Sequence, residues 1–347
     1  PCSNGLLDFA ALPSFDAQQI DRAERSMWRY RSMLLPDGVE AISLGEGWTP
    51  LIGGQIDDRD IIFKVESQNP TGSFKDRGAA LLVSVLKAAG ASLIHDDSSG
   101  NAGTALAAYS ARAGLRAKLF VPGYASPSKL NMIRLYGATL DAVEGPRSAA
   151  TEASKAAAKL GDSVYASHIG HPFSVLAYRT IAYEIWEQLG QRAPTGIVAP
   201  LGHGSQVLGL MDGFRDLLTT GLIAHLPRVV GVQALACGPL LARWQGQPSS
   251  SEGSTLAEGI RIVNPIRAEA LLDGLRECGG TIVGVSEEQI IDGLNKLGRL
   301  GLAVEPTCAV VWHGWQQVKD QFGPEATIVL SLTGAGSKTP QLDQLLR

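Results

Sequence analysis

The residue with the clearest chemical potential is a lysine at the mouth of a helix. Ile61-Ile62-Phe63-Lys64-Val65-Glu66 reads as a strand and Ala79 to Ala89 as a helix. Ser67-Gln68-Asn69-Pro70-Thr71-Gly72-Ser73-Phe74-Lys75-Asp76-Arg77-Gly78 joins them. Asn69, Pro70, Thr71, Gly72 and Ser73 are turn and capping residues. Lys75 therefore stands at a helix start on the carboxyl side of a strand, where open α/β sheets place ligands. Lysines in general are solvated, and a surface pair with Asp76 or Glu66 accounts for this one without chemistry. The chemical alternative is Schiff-base formation, which needs an amine in a dry, positively biased pocket. A helix N-terminus supplies that bias and receives the anionic parts of a ligand.

Three later stretches could hold a ligand. Asp97-Ser98-Ser99-Gly100-Asn101-Ala102-Gly103-Thr104 joins a strand to a small-residue helix and, alone, is an ordinary βα turn. Val198-Ala199-Pro200-Leu201-Gly202-His203-Gly204-Ser205-Gln206 ends a strand in Gly-x-Gly directly before a helix. Such a turn can donate several amides to a phosphate, although one Gly-x-Gly is unspecific. The third lies near the end of the sequence: Val304-Glu305-Pro306-Thr307 and Ser331-Leu332-Thr333-Gly334-Ala335-Gly336-Ser337-Lys338. Read alone, Thr333 is a cap between a strand and a helix.

The lysine turn resembles that of the fold-type-II (tryptophan synthase β-like) pyridoxal-phosphate enzymes. It is most similar to their threonine synthase branch, which spells it almost as Pro-Thr-Gly-Ser-Phe-Lys-Asp-Arg-Gly. The other stretches resemble that family's Ser-x-Gly-Asn-x-Gly, Gly-x-Gly-Gly-Asn, Glu-Pro and Leu-Thr-Gly-x-Gly-x-Lys segments. Leu44-Gly45-Glu46-Gly47-Trp48-Thr49-Pro50-Leu51 resembles its Gly-Glu-Gly-x-Thr-Pro-Leu entry, which lines the cleft without doing chemistry. The matches run from about Gly45 to Lys338. The resemblance implies pyridoxal 5'-phosphate as cofactor and Lys75 as its Schiff-base lysine and general base. It puts Asn101 on the cofactor's phenolate oxygen, and the Ser98, Ser99, Gly100, Asn101 and Ala102 backbone on the substrate carboxylate. The Gly202, His203, Gly204, Ser205 and Gln206 turn becomes the phosphate cradle, with Ser205 and Gln206 replacing the family's Gly-Asn. Glu305 lies beside the ring, and the Thr333 hydroxyl meets the ring nitrogen, which tunes the ring toward elimination and replacement at Cβ or Cγ.

The reaction implied is that of threonine synthase: O-phosphohomoserine and water give threonine and phosphate. One stretch departs from the family. Where it has Asn-Ser-x-Asn-Pro-x-Arg before a Gly-x-Lys-Thr helix, this chain has Ala166-Ser167-His168-Ile169-Gly170-His171-Pro172-Phe173-Ser174-Val175-Leu176-Ala177-Tyr178-Arg179-Thr180. The phosphate-binding arginine is missing, and loss of a guanidinium fork weakens a phosphate site. His168 and Arg179 are the candidate substitutes, with His171 beside them. The departure leaves a rival: a serine or threonine dehydratase, another ammonia lyase, or a β-replacement enzyme on a substrate without a γ-phosphate. A non-catalytic cofactor-binding paralogue is a third reading, because fold alone does not carry function.

The elements that must position these residues alternate. Strand and helix patterns follow one another from Ser92 to Ala166 and again from Phe173 to Leu332, which predicts mostly parallel sheets flanked by helices. Asp16 to Leu35 reads as a polar, arginine-rich segment that holds a helix, and Gln245 to Gly253 reads as a mobile surface loop. The resemblance implies an α/β fold of two open twisted domains with the cofactor in the cleft between them. The larger would comprise residues 1–78 and 168–347, and the smaller residues 79–167.

The bulk properties agree. The 347 residues suit two domains, and 45% hydrophobic residues supply a large core. A net charge of −4 without a Lys/Arg block speaks against nucleic acid, and no apolar run is long enough to cross a membrane. Cys2, Cys237, Cys278 and Cys308 lack metal-site spacing, so no metal is expected, and reduced thiols fit a cytoplasmic protein. Pro1-Cys2-Ser3-Asn4-Gly5-Leu6-Leu7-Asp8-Phe9 resembles the tail of a small cysteine ribbon, so either the chain begins late or the ribbon has decayed. The expected partners are a small amino-acid substrate, phosphorylated or not, and a second copy of the chain in a homodimer.

Overall fold

The alternating patterns fold into two sheets that are almost wholly parallel. The computed structural model describes residue 9 and residues 14–125, 127–248 and 253–339. Residues 1–8 of the ribbon-like start and 249–252 of the expected loop lie outside them. The first elements are α1 (Arg31–Leu34), β1 (Leu51–Ile56), β2 (Arg59–Lys64), α2 (Lys75–Ala88), β3 (Leu93–Asp96), α3 (Asn101–Ala113) and β4 (Arg116–Pro122). Then come α4 (Pro127–Leu135), β5 (Thr139–Val143), α5 (Arg147–Leu160), β6 (Val164–Tyr165), α6 (Pro172–Gln188), β7 (Gly196–Pro200) and α7 (Ser205–Thr219). Last are β8 (Arg228–Ala234), α8 (Pro239–Trp244), α9 (Ala268–Glu277), β9 (Thr281–Val285), α10 (Glu287–Arg299), α11 (Pro306–Gln316) and β10 (Ile328–Ser331).

Two compact units result, Pro1–Gly47 with Asn69–Ala177 and Trp48–Gln68 with Tyr178–Arg347. Both are discontinuous, and the described residues up to 47 together with residues 69–78 and 168–177 fall with the smaller sheet, outside the larger domain that the resemblance implies for them. The first unit holds the parallel sheet β5-β4-β3-β6. In it α2 packs against α3 with ten of its fourteen residues buried, including Asp76 and Arg77. A helix so enclosed fixes the position of its first residue, Lys75.

The second unit holds the sheet β1-β2-β10-β7-β8-β9, antiparallel only between β1 and β2. Every residue of β7 and β10 is buried, as expected of central parallel strands covered on both faces. Val198 of β7 and Ile328 and Leu330 of β10 join Phe63, Val230, Val232, Val311 and Trp315 in one core cluster. In α10 a capping box between Ser286 and Gln289 sets the start, and the helix packs against α11.

The helix expected within Asp16 to Leu35 is reduced to the single turn of α1, preceded by short 3-10 turns at Ala17–Gln19 and Met27–Tyr30. Asp16, Asp21 and Ser26 accept bonds from the amides of Gln18, Ala23 and Trp28, and these local bonds compete with a helical ladder. Among the described residues, no helix is long and apolar enough to cross a membrane.

Candidate active site

In the first unit a buried turn delivers Lys75. Gly72 takes φ +81° and donates to the Asn69 carbonyl at 2.7 Å, and the Asn69 side chain accepts from the Gly47 amide at 2.9 Å. Asp76, fully buried, accepts from the Thr71 amide at 2.6 Å and from the Thr71 hydroxyl. One of the two acids considered as a surface partner for Lys75 is thus an internal tie of the turn. The Lys75 ammonium lies 4.7 Å from the centre of the Phe74 ring. The Ser73 hydroxyl is buried and has no hydrogen-bond partner among the described residues. An unpaired buried hydroxyl costs about 1–3 kcal/mol, which a ligand can recover.

The loop from Asp97 to Asn101 runs from the end of β3 into α3. Gly100, the N-cap, makes no side-chain capping bond, and its amide donates to Ser98 Oγ at 3.3 Å. A Cβ on Gly103 would stand 1.9 Å from the Ser98 carbonyl oxygen, so α3 packs against its own entry loop and requires glycine there. Asn101 is the first residue of the helix.

The carboxyl ends of β3 and β6, which are paired in the sheet, bring His168 to the same loop. His168 Nδ1 lies 2.7 Å from Asp96 Oδ2. Asp97 accepts from Tyr165 Oη at 2.9 Å, from Arg147 Nη1 at 3.1 Å and from the Thr151 hydroxyl. Burial raises the Asp96 carboxyl above its ordinary range, with His168 opposing. Burial also pushes Asp97 up, but His168, Arg147 and Thr151 outweigh it and hold this carboxyl below the usual range. Nearby, the His171 ring stacks on Phe173 at 5.0 Å, and burial brings its pKa down to about 4.

In the second unit, β7 ends in the Gly202-His203-Gly204 turn before α7. Gly204 takes φ +78°, and a Cβ on it would meet Leu271 at 2.3 Å; one on Gly202 would meet the Ile260 backbone at 3.0 Å. No side chain caps the helix start, which leaves it open to an anion. Gln206 Nε2 donates to Ser331 Oγ at 3.0 Å, while its buried Oε1 has no partner among the described residues. Thr333 is buried with its hydroxyl 3.2 Å from Cys308 Sγ, and that sulfur also bonds the Gly334 amide and carbonyl. Burial raises the Cys308 thiol far above its ordinary value, so it acts as a neutral hydrogen-bonding group. The Glu305 carboxyl fills the space a side chain at Gly334 would need.

Arg179 is engaged elsewhere. Its Nη1 reaches both Asp216 oxygens at 3.2 and 3.0 Å, its Nη2 reaches Asp212 at 3.3 Å, and Tyr183 donates to Asp216 at 2.5 Å. The expected outcome for Arg179→Ala is a loss of about 1–3 kcal/mol of stability, because half-buried Asp216 keeps its charge without its guanidinium. Urea unfolding measures this. Phosphorylated and unphosphorylated substrates should be affected alike, and a selective loss on the former would restore Arg179 to the substrate site.

Sequence reasoning passed over Asp96, Cys308 and Ser331. Asp96-Asp97 directly before the Ser98 loop was a visible signal; Cys308 and Ser331 had none beyond lying next to and within the matched segments.

A family model described as pyridoxal-phosphate dependent enzyme matches residues 42–334. The threonine synthase of Methanocaldococcus jannaschii is 31% identical over 337 residues, covering 93% of this chain and 83% of that protein. That of Synechocystis sp. is 34% identical, covering 90% and 82%. Among solved structures, a threonine deaminase from T.th. superposes with TM-score 0.71 at 24% identity, covering 83% of this chain and 92% of the other. Maize serine racemase superposes with TM-score 0.72 at 20% identity, covering 86% and 90%. At these identities the two structures speak to the fold alone.

Proposed function

The chain belongs to the pyridoxal-phosphate-dependent enzymes of fold type II, in their threonine synthase-like branch, and on that premise we propose that it converts O-phosphohomoserine and water to threonine and phosphate. The observation that carries this choice of reaction is the 31% and 34% identity to threonine synthases over at least nine-tenths of the chain.

The residues present fit the cofactor. Ser73 Oγ beside Lys75 and Gln206 Oε1 beyond the Gly202–Gly204 turn are buried polar atoms left without partners, and the uncapped start of α7 suits a phosphate. In this reading Lys75 holds the cofactor covalently, Asn101 faces its phenolate oxygen, Gly202 to Gln206 hold its phosphate, Glu305 lies beside the ring and Thr333 meets the ring nitrogen. Bound in this way, pyridoxal phosphate acidifies the substrate Cα–H and delocalises the electron pair left behind. Lys75, once released, carries protons at Cα and Cβ as the general base. The Ser98 to Ala102 backbone orients the substrate carboxylate. Cys308 fixes the rotamer of Thr333 through the sulfur–hydroxyl contact.

A second reading has its own support. The family's phosphate-binding arginine is missing, and Arg179 faces Asp212 and Asp216. That favours a substrate without a γ-phosphate, handled by a serine or threonine dehydratase, another ammonia lyase or a β-replacement enzyme. Product analysis decides between them. The cofactor-loaded protein is given O-phosphohomoserine and, separately, serine, threonine and O-phosphoserine. Equal amounts of threonine and phosphate from the first are the expected result. No reaction there, with keto acid and ammonia released from another substrate, establishes the second reading.

A further inference from the structure

Strands β3 and β6 bring an imidazole to a buried carboxylate 72 residues away. The side chains of His168 and Asp96 are 18% and 0% exposed. The other Asp96 oxygen, Oδ1, accepts no bond from a donor among the described residues, and the Asp96 carboxyl also faces that of Asp97. With Nδ1 on Asp96, ring geometry turns Nε2 away from that carboxylate. Asp97, adjacent in sequence, is already bonded by Tyr165, Arg147 and Thr151.

The charges facing this group are therefore two carboxylates and one guanidinium. Donor atoms of Asp96, Asp97 and His168 lie within 4.8 Å of one another, close enough to share one more positive charge. A metal ion there would be opposed by Arg147, which already lies against Asp97. A proton on His168 supplies a single positive charge, which Arg147 opposes less than it would a multivalent ion, and a buried carboxylate lacking a positive partner is strongly disfavoured. The resulting imidazolium gives Nδ1–H to Asp96, two residues before Ser98 in the chain, and keeps Nε2–H for another acceptor.

We infer that His168 is the proton donor to the substrate's oxygen leaving group, with Asp96 as the residue that positions it; this rests on the lyase reading above. As the C–O bond breaks, its electron pair passes to the oxygen and the Nε2 proton follows. The ring regains its proton from the water that adds to the carbon skeleton, or from solvent where none adds. Phosphate and hydroxyl leaving groups share this chemistry, and the test separates them.

The test compares wild type, His168→Gln and Asp96→Asn, all cofactor-loaded. The substrates are O-phosphohomoserine and serine, beside the γ-chloro analogue of the former and β-chloroalanine, since chloride leaves without a proton. His168→Gln should lose about 10²–10⁴-fold in kcat/KM on whichever oxygen substrate the wild type uses. It should lose less than about tenfold on the matching chloride. General-acid action requires the protonated ring, so wild-type kcat/KM should fall with rising pH along a limb that depends on His168. That limb should vanish in His168→Gln and move to lower pH in Asp96→Asn, where the carboxylate no longer favours the proton. Histidine-ring NMR of the holoenzyme should show the same downward move in Asp96→Asn, a readout independent of turnover. Should the glutamine variant not fold, His168→Asn and Asp96→Asn carry the comparison. Equal losses on oxygen and chloride substrates, or an unmoved limb, overturn the inference alone. A wild type inert on both oxygen substrates and also on threonine and O-phosphoserine overturns the lyase reading and the inference with it.

Discussion

A Lys75→Ala protein folds, holds pyridoxal phosphate only weakly and turns over no substrate. Its fold survives because α2 is anchored by its buried length and by the Thr71–Asp76 tie, neither of which uses the lysine side chain. Two contributions disappear together. The covalent link to the cofactor is lost, and with it the amine that moves protons at Cα, a role worth about 10²–10⁴-fold by itself. The expected kcat is therefore at least about 10³-fold lower, since the combined loss exceeds proton transfer alone. Absorbance separates the two: the Schiff-base band of the wild-type protein disappears, and dialysis removes the cofactor. An added small amine should restore part of the proton transfer without restoring retention. Multiple turnovers by the unassisted variant would sink the assignment of Lys75.

What could be read from the sequence was local. The lysine turn was legible because its turn residues, its helix start and its single amine are consecutive. The strand-helix alternation was legible because burial on both faces leaves β7 and β10 as short unbroken apolar runs. Strand β1 was not, since Gly53-Gly54 looks like a turn. In the sheet Gly54 pairs with Ile61, and a Cβ on it would meet the Phe63 ring at 2.6 Å, so its missing side chain is what lets the strands close. The acidic partners of Arg179 were not legible for a related reason. Its place on a helix was visible, but Asp212 and Asp216 lie 33 and 37 residues further on and on another helix. His168 and Asp96 are separated still more, and no spacing rule connects them. Residues that do chemistry through neighbours distant in sequence become readable only when the sheet has set its register.

The segment from Gly45 to Pro50 shows the same dependence and carries the second large prediction. Glu46 is buried, accepts from Trp28 Nε1 at 2.6 Å and Tyr109 Oη at 2.8 Å, and has its carboxyl raised by burial. On the other side of Gly47 a buried ion pair takes over. Lys64 Nζ lies 2.7 Å from Glu184 Oε2 with both side chains fully buried, and it also donates to the Thr49 carbonyl at 2.7 Å. The other Glu184 oxygen accepts from the Trp48 amide at 2.8 Å. The pair thus secures the backbone at Trp48 and Thr49. Lys64→Met leaves the Glu184 charge buried without its ammonium, and the expected loss is about 3–5 kcal/mol. Urea unfolding should show it as a lower midpoint at unchanged slope. The double variant Lys64→Met with Glu184→Leu removes both charges and should recover most of the loss, because a well-packed apolar pair is often as stable as a buried ion pair. Recovery of stability without recovery of activity would place the value of this pair in holding the Trp48–Thr49 backbone. If the double variant were no more stable than the single one, the backbone bonds to Thr49 and Trp48, and not the buried charge, would be what holds this corner together.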